Sequence, residues 1–293
     1  MSVPQKMKLV KYRHGSVHEG VGRLDESGIT PLDLDGEHYS TLTDILEAED
    51  PMSVAELLTD SSSGRLSLEE AKLLAPIDQQ EVWAAGVTYK RSKTARMEES
   101  EAAASCYDLV YASPRPELFM KATPHRVSGP EEPLRIREDS EWNVPEPEMT
   151  LVINSRMELV GYTVGNDMSS RDIEGDNPLY LPQAKVYNEC CGLGPCITLA
   201  AGLREAHELG IKLEIYRGDD LAFQGKTSVS QMARSFENLM GWLGRDNSFP
   251  TGVFLLTGTG IVPDSNFTLL AGDRVDITID EIGTLSNPVV QGT

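Results

Sequence analysis

The chain has 293 residues, enough to bury a substantial core in one large domain or in a large domain with a small companion. Its 40% hydrophobic and 25% charged residues are ordinary for a globular protein, and no apolar run reaches the ~18 residues of a membrane span. A formal net charge of -20 repels nucleic acid and anionic membrane, so a small anionic substrate needs local lysine or arginine to overcome that background.

Residues 7–33 read as short alternating strands punctuated by glycine. Residues 41–47 and 53–58 are expected as two short helices, started by the capping-type residues Ser40 and Ser53. Ser61 to Gly64 reads as a turn. Residues 1–75 are taken as a small N-terminal α+β domain and 76–293 as the larger domain. The larger part opens with a strand, Glu81 to Tyr89, running into a basic loop, Lys90 to Lys93. Residues 94–108 are polar, alanine-rich and helical in propensity. They are either a segment covering a site or a solvated surface helix. In Glu117-Leu-Phe-Met-Lys121 an apolar strand is framed by charges, which are ordinary wet strand ends unless the strand reaches a site.

The run from Trp142 to Ile153 carries the chemistry. If Val144 to Ile153 is one extended strand, Glu146 and Glu148 project from the same face. Like charges that close repel, so one is protonated or a cation sits between them. Gly161 to Asp167 reads as a second strand ending on another carboxylate. Three carboxylates converging at strand ends describe an oxygen-rich site for a hard divalent ion, Mg²⁺ ahead of Zn²⁺. The competing reading is a solvated strand edge, which Pro145 and Pro147 also suit. A turn-rich connection between Gly175 and Pro182 leads to Lys185, which either snorkels to water or meets a carboxylate.

Residues 193–199 and 209–216 are expected as strands. Residues 229–243 place Met232, Phe236, Leu239, Met240 and Leu243 at helical spacing, an amphipathic helix with a core role. Val253 to Gly260 is a buried strand entering a glycine turn, whose backbone N–H groups suit a carboxylate. Thr257 and Thr259 either hydrogen-bond a substrate hydroxyl or satisfy the turn. Leu269 to Leu285 reads as a hairpin. Many strands, few helices and frequent turns give an α+β, mostly β, fold class. The chain has no Walker loop, no G-x-S-x-G and no G-x-G-x-x-G after a strand. Cys106, Cys190, Cys191 and Cys196 form no C-x-x-C pair and read as reduced thiols. The N-terminus lacks the apolar core of a signal peptide, so the expected location is the cytoplasm.

An ordered set of motifs then carries a family likeness. Gly86-Val-Thr-Tyr89, Phe119-Met-Lys121, Glu146-Pro-Glu148, Gly161-Tyr-Thr-Val-Gly-Asn-Asp167-Met-Ser-Ser-Arg171-Asp172, Lys185, Gly194-Pro195, Leu256-Thr257-Gly-Thr259 and Gly272-Asp273 resemble the fumarylacetoacetate hydrolase superfamily, from about Pro76 to the C-terminus. The resemblance implies a mixed β-sandwich roll and a homodimer or higher homo-oligomer. It implies Mg²⁺ or Mn²⁺ held by Glu146, Glu148 and Asp167, with Lys185 as the lysine beside the metal. One departure matters. Hydrolases of this superfamily often carry a histidine after the G-x-x-Y strand, and Ser92 stands roughly there, which counts against carbon–carbon hydrolysis. Arg115-Pro-Glu117-Leu-Phe and Leu181-Pro-Gln-Ala-Lys185-Val-Tyr are instead similar to the branch that dehydrates 2-keto-3-deoxy sugar acids, which implies a functional glutamate at Glu117. On that likeness the substrate is a small anionic 2-keto acid, and Glu117 and Lys185 form the acid–base pair without a division of roles. Lys121 and Arg91 are candidates for countering the substrate carboxylate, or plain surface charges. The alternatives are another activity of the superfamily (hydrolase, decarboxylase or isomerase) and a non-catalytic metal-binding relic.

Overall fold

Alternating apolar residues build two sheets and decide which faces they share. A computed structural model describes residues 6–16, 18–34, 38–59, 64–90, 109–203 and 205–292. The strands of the first half are β1 (Lys8–His14), β2 (His18–Asp25), β3 (Gly28–Pro31), β4 (Ala71–Leu74), β5 (Glu81–Gly86), β6 (Glu117–Ala122), β7 (Val127–Ser128), β8 (Leu134–Ile136) and β9 (Asn143–Val144). Those of the second half are β10 (Pro147–Ile153), β11 (Leu159–Asp167), β12 (Ser169–Ser170), β13 (Cys191–Leu199), β14 (Gly210–Arg217), β15 (Asp220–Ser228), β16 (Val253–Leu256), β17 (Asp273–Ile279) and β18 (Gly283–Gln291). The helices are short: α1 (Leu42–Leu46), α2 (Pro51–Leu57), α3 (Arg171–Asp176), α4 (Leu181–Lys185) and α5 (Phe236–Leu243).

Among the described residues, eleven strands form the main sheet in the order β3-β2-β1-β13-β11-β10-β16-β5-β6, with β4 beside β1 and β7 beside β13. A five-stranded sheet runs β15-β14-β17-β18-β8, and β9 pairs with β12. Every residue of β10 is buried, and its side chains alternate between two cores. Met149, Leu151 and Ile153 pack into one core with Ile211, Leu213 and Ile277 of the smaller sheet. Val152 joins the other core, with Phe254 and Leu256 of β16 and with Leu42, Ile45 and Ala55 of α1 and α2. The main sheet is therefore sandwiched between the second sheet and a helical layer, the mostly β architecture expected. The boundary foreseen near residue 75 falls between β4 and β5. The sheet runs across it, because β1 pairs with β13, Lys8 opposite Thr198 and Leu9 opposite Ile197.

Three local expectations are corrected. Helix α1 is capped by Thr41, not Ser40, through a reciprocal box with Asp44. Helix α2 starts from Asp50, not Ser53: its carboxylate accepts from Met52 and Ser53 N–H, with Pro51 in the first turn. The helix expected over 229–243 is only α5, capped by the Ser235 hydroxyl at Asn238 N–H. Its first half is held elsewhere, with Met232 bridged to Tyr89 and Ala233 N–H donating to Thr88 O.

Pairing directions position the site. Strand β10 is antiparallel to β11 and β16, β16 is parallel to β5, and β5 is antiparallel to β6. The starts of β10 and β6 and the ends of β11, β16 and β5 consequently lie at one end of the sheet.

Candidate active site

Glu146, Glu148 and Asp167 meet at that end. The strand expected over Val144 to Ile153 is broken: Glu146 lies between β9 and β10, flanked by two prolines that cannot donate to a ladder. Its backbone is still fixed, since its N–H donates to Asn166 Oδ1 at 3.2 Å and its carbonyl accepts from Asp167 N–H at 3.0 Å. All three carboxylates are buried, and one oxygen from each lies within 4.8 Å of the others.

Three buried cations face them. Lys185, at the end of α4, places its Nζ 2.7 Å from Glu146 Oε2 and 3.1 Å from Asp167 Oδ2. Arg171, opening α3, puts Nη2 2.7 Å from Glu146 Oε1. Lys121 Nζ stands 2.7 Å from Asp167 Oδ1 and donates to Met168 O at 2.7 Å and Lys185 O at 2.5 Å. Burial disfavours the Lys121 ammonium, but Asp167 with Cys190 and Cys191 together outweigh it and hold its proton more tightly than an ordinary lysine's. Lys185 thus meets carboxylates rather than snorkelling. Its Nζ also lies 5.7 Å from the centre of the Phe119 ring. Lys121, a candidate for countering a substrate carboxylate, has its ammonium enclosed and directed at protein oxygens.

Glu148 differs from its neighbours. Its Oε2 accepts the Gly258 N–H at 2.6 Å, so the glycine turn does hold a carboxylate, one of the protein's own. Burial first, then Asp167 and Glu146, raise its carboxyl well above the usual range. In a cluster of like charges it is the member that keeps a proton unless a cation balances it.

Glu117 reaches the same end of the sheet at the start of β6, paired with Gly86 at the end of β5. A Cβ on Gly86 would stand 2.0 Å from Glu117 Oε2 and 2.7 Å from its Cδ, so only glycine lets this carboxylate cross the neighbouring strand. Gly258 is equally constrained. Its φ is +94°, and a Cβ there would lie 1.9 Å from Thr88 Oγ1, which donates to Thr257 O. Thr257 donates its hydroxyl to Met149 O at 2.8 Å, and Thr259 bonds the backbone of Ile261, so both threonines satisfy the turn. Arg91, Ser92 and the polar stretch 94–108 lie outside the described residues.

Two buried side chains were quoted in the motifs without a role. Arg171 follows Asp167 by four positions, but its partner Glu146 lies 25 residues away, a pairing that no local period reveals. Tyr89 is enclosed at the end of the Gly86 run. Burial and the nearby Glu148 push its hydroxyl above the ordinary tyrosine range.

A model of the fumarylacetoacetate (FAA) hydrolase C-terminal family matches residues 81–290. A probable 2-keto-3-deoxyxylonate dehydratase of Haloferax volcanii is 48% identical over 235 residues, 80% of this chain and 81% of the relative. The 2-dehydro-3-deoxy-D-arabinonate dehydratase of Saccharolobus solfataricus is 38% identical over 270 residues, 91% of this chain and 88% of the relative. Among solved structures, a 2-keto-3-deoxy-D-arabinonate dehydratase complexed with magnesium and 2,5-dioxopentanoate is 35% identical, with a TM-score of 0.84, coverage of 98% of this chain and 99% of that one. With the carboxylates of the motif brought together and the family model spanning most of the sequence, the chain belongs to the fumarylacetoacetate hydrolase family.

Proposed function

We propose that the protein removes water from a 2-keto-3-deoxy sugar acid to give 2,5-dioxopentanoate, with Mg²⁺ (or Mn²⁺) held by Glu146, Glu148 and Asp167. The observation that carries this reading is the convergence of those buried carboxylates on Lys185, at the end of the sheet where Glu117 also stands. The donor set fits a hard divalent ion, since each of the three residues offers carboxylate oxygen. The dehydratase relatives and the magnesium-bound neighbour support the same choice. A cation held there supplies Lewis-acid polarisation of the 2-oxo group.

The chain's own residues do the rest. Three carboxylates against Lys121, Lys185 and Arg171 make the site nearly neutral before a divalent ion enters and positive after. That local balance admits an anionic 2-keto acid despite the net charge of -20. Dehydration takes a proton from C3 and a hydroxyl from C4. Reaching the 2,5-dioxo acid then requires one proton to leave C5 and one to leave its hydroxyl while C3 and C4 each gain one, so the site needs more than one proton carrier. Lys185 and Glu117 are those carriers in this reading, each contributing about 10²–10⁴-fold. The reading includes a homodimer in the cytoplasm with reduced thiols, in keeping with three free, buried cysteines among the described residues. No helix of the described residues is long and apolar enough to cross a membrane.

The test is turnover of a panel of 2-keto-3-deoxy sugar acids with Mg²⁺, followed by NMR. The aldehyde proton of 2,5-dioxopentanoate is expected from a pentonate substrate. Absence of product from every acid in the panel, or products of carbon–carbon cleavage, would sink the reading.

A further inference from the structure

We propose that Lys121 is a positioning residue that ties the Asp167 carboxylate to the helix end carrying Lys185; the inference rests on the metal and proton-transfer roles given above. The Lys121 ammonium is enclosed, and its three contacts are all to protein oxygens, which leaves it a structural tie and not a substrate ligand. Its partners come from two separate pieces of the site. On one side are Asp167 Oδ1 and the next carbonyl, Met168 O; on the other is the backbone carbonyl of Lys185 itself. Asp167 is therefore bracketed by two lysines, Lys121 on Oδ1 and Lys185 on Oδ2, and one of them holds the backbone of the other.

The elements explain why such a tie is needed. Helix α4 has only five residues and contains Pro182, so it has no stability of its own and takes its position from what it touches. Lys121 grows from β6, which opens with Glu117 and ends the main sheet's strand order beside β5. One buried ammonium thus fixes a metal ligand and the Lys185 helix against the strand that presents Glu117. Outer partners of metal ligands commonly carry 10–100-fold effects on affinity or activity.

Charge alone predicts the opposite sign from positioning, which makes the inference testable. Removing a cation leaves the carboxylates more negative, and attraction alone would then tighten Mg²⁺. Positioning predicts that Lys121→Met weakens Mg²⁺ by about 10–100-fold in calorimetric titration. At saturating Mg²⁺ it should lower kcat about 10-fold or more while KM for the acid moves less, because Lys185 and not substrate binding is displaced. Lys121→Arg, which keeps a cation in place, should stay within about 10-fold of wild type in Mg²⁺ affinity and decides the matter if the methionine variant does not fold. Unchanged or tighter Mg²⁺ in Lys121→Met, an unchanged kcat there, or no Mg²⁺ binding by a folded Lys121→Arg protein would each overturn the inference. The Mg²⁺ titrations need no substrate. A wild type that binds Mg²⁺ but dehydrates none of the acids sinks the proposed activity and leaves the role of Lys121 to be decided by those titrations.

Discussion

Both carboxylate oxygens of Glu146 are engaged by cations, whereas Glu148 meets a backbone N–H, and Glu117 is admitted only because Gly86 has no side chain. These contacts separate the groups that build the site from those that move protons. Glu117→Gln and Lys185→Ala should each lose about 10²-fold or more in kcat while Mg²⁺ still raises the melting temperature. Wild-type rates in either variant would remove that residue from the mechanism. Gly86→Ala displaces the Glu117 carboxylate without touching the metal ligands, so it should cost about 10²-fold in kcat with Mg²⁺ affinity kept. The carboxylates were legible in the sequence because acids at period two inside an apolar run are costly unless something balances them. Arg171 and the enclosure of Lys121 were not, because their partners lie 25 and 46 positions away, and a single lysine or arginine looks the same whether buried or wet.

At the scale of elements, long apolar runs were read well and short helices poorly. Strands β13, β14 and β16 lie where alternation or continuous apolar sequence put them, and β10 keeps the 147–153 part of the longer strand expected there. The connection from Gly175 to Pro182 instead holds a 3₁₀ turn and the start of α4, pieces of three and five residues that show no 3.6-residue period. The first half of the helix expected over 229–243 gives way to tertiary pairing with Thr88 and Tyr89. The junction near residue 75 is a further element-scale feature. Asp78 accepts from Lys11 Nζ of β1 at 2.6 Å and from Thr43 N and Oγ1 of α1 at 2.8 and 2.7 Å. Burial works against its charge, but the Lys11 and Thr43 contacts outweigh it and hold the carboxyl below the usual aspartate range. Its stabilisation is therefore present above the unfolded value of about 3.9 and is lost as pH falls through the lower folded value. Asp78→Asn should cost about 2 kcal/mol at neutral pH. The gap to wild type should close as the pH drops below about 3.9, read from denaturant unfolding across pH. A gap that widened in acid would show that the charge is not what stabilises the junction.

Over the whole molecule, the net charge of -20 and the nearly neutral site pull in different directions. The surface repels itself, while Lys121, Lys185 and Arg171 are enclosed beside the carboxylates and screened little by salt. Raising the ionic strength from about 0.01 M to about 1 M shortens the Debye length from about 30 Å to about 3 Å and should raise the melting temperature by a few degrees. A flat or falling melting temperature would argue that surface repulsion is already offset. The overall architecture was accessible from the sequence through ordered motifs spread over more than half its length, whereas the sharing of one sheet by the N-terminal strands was not, because pairing between β1 and β13 joins residues far apart in the chain. The most direct measurement is anomalous scattering from a crystal grown with Mn²⁺ and oxalate. A single strong peak bonded to Glu146, Glu148 and Asp167 is expected, with the oxalate chelating it; no peak there, or a peak elsewhere with Glu146 and Asp167 still paired to the lysines and Arg171 and Glu148 to Gly258 N–H, would contradict the proposed metal site.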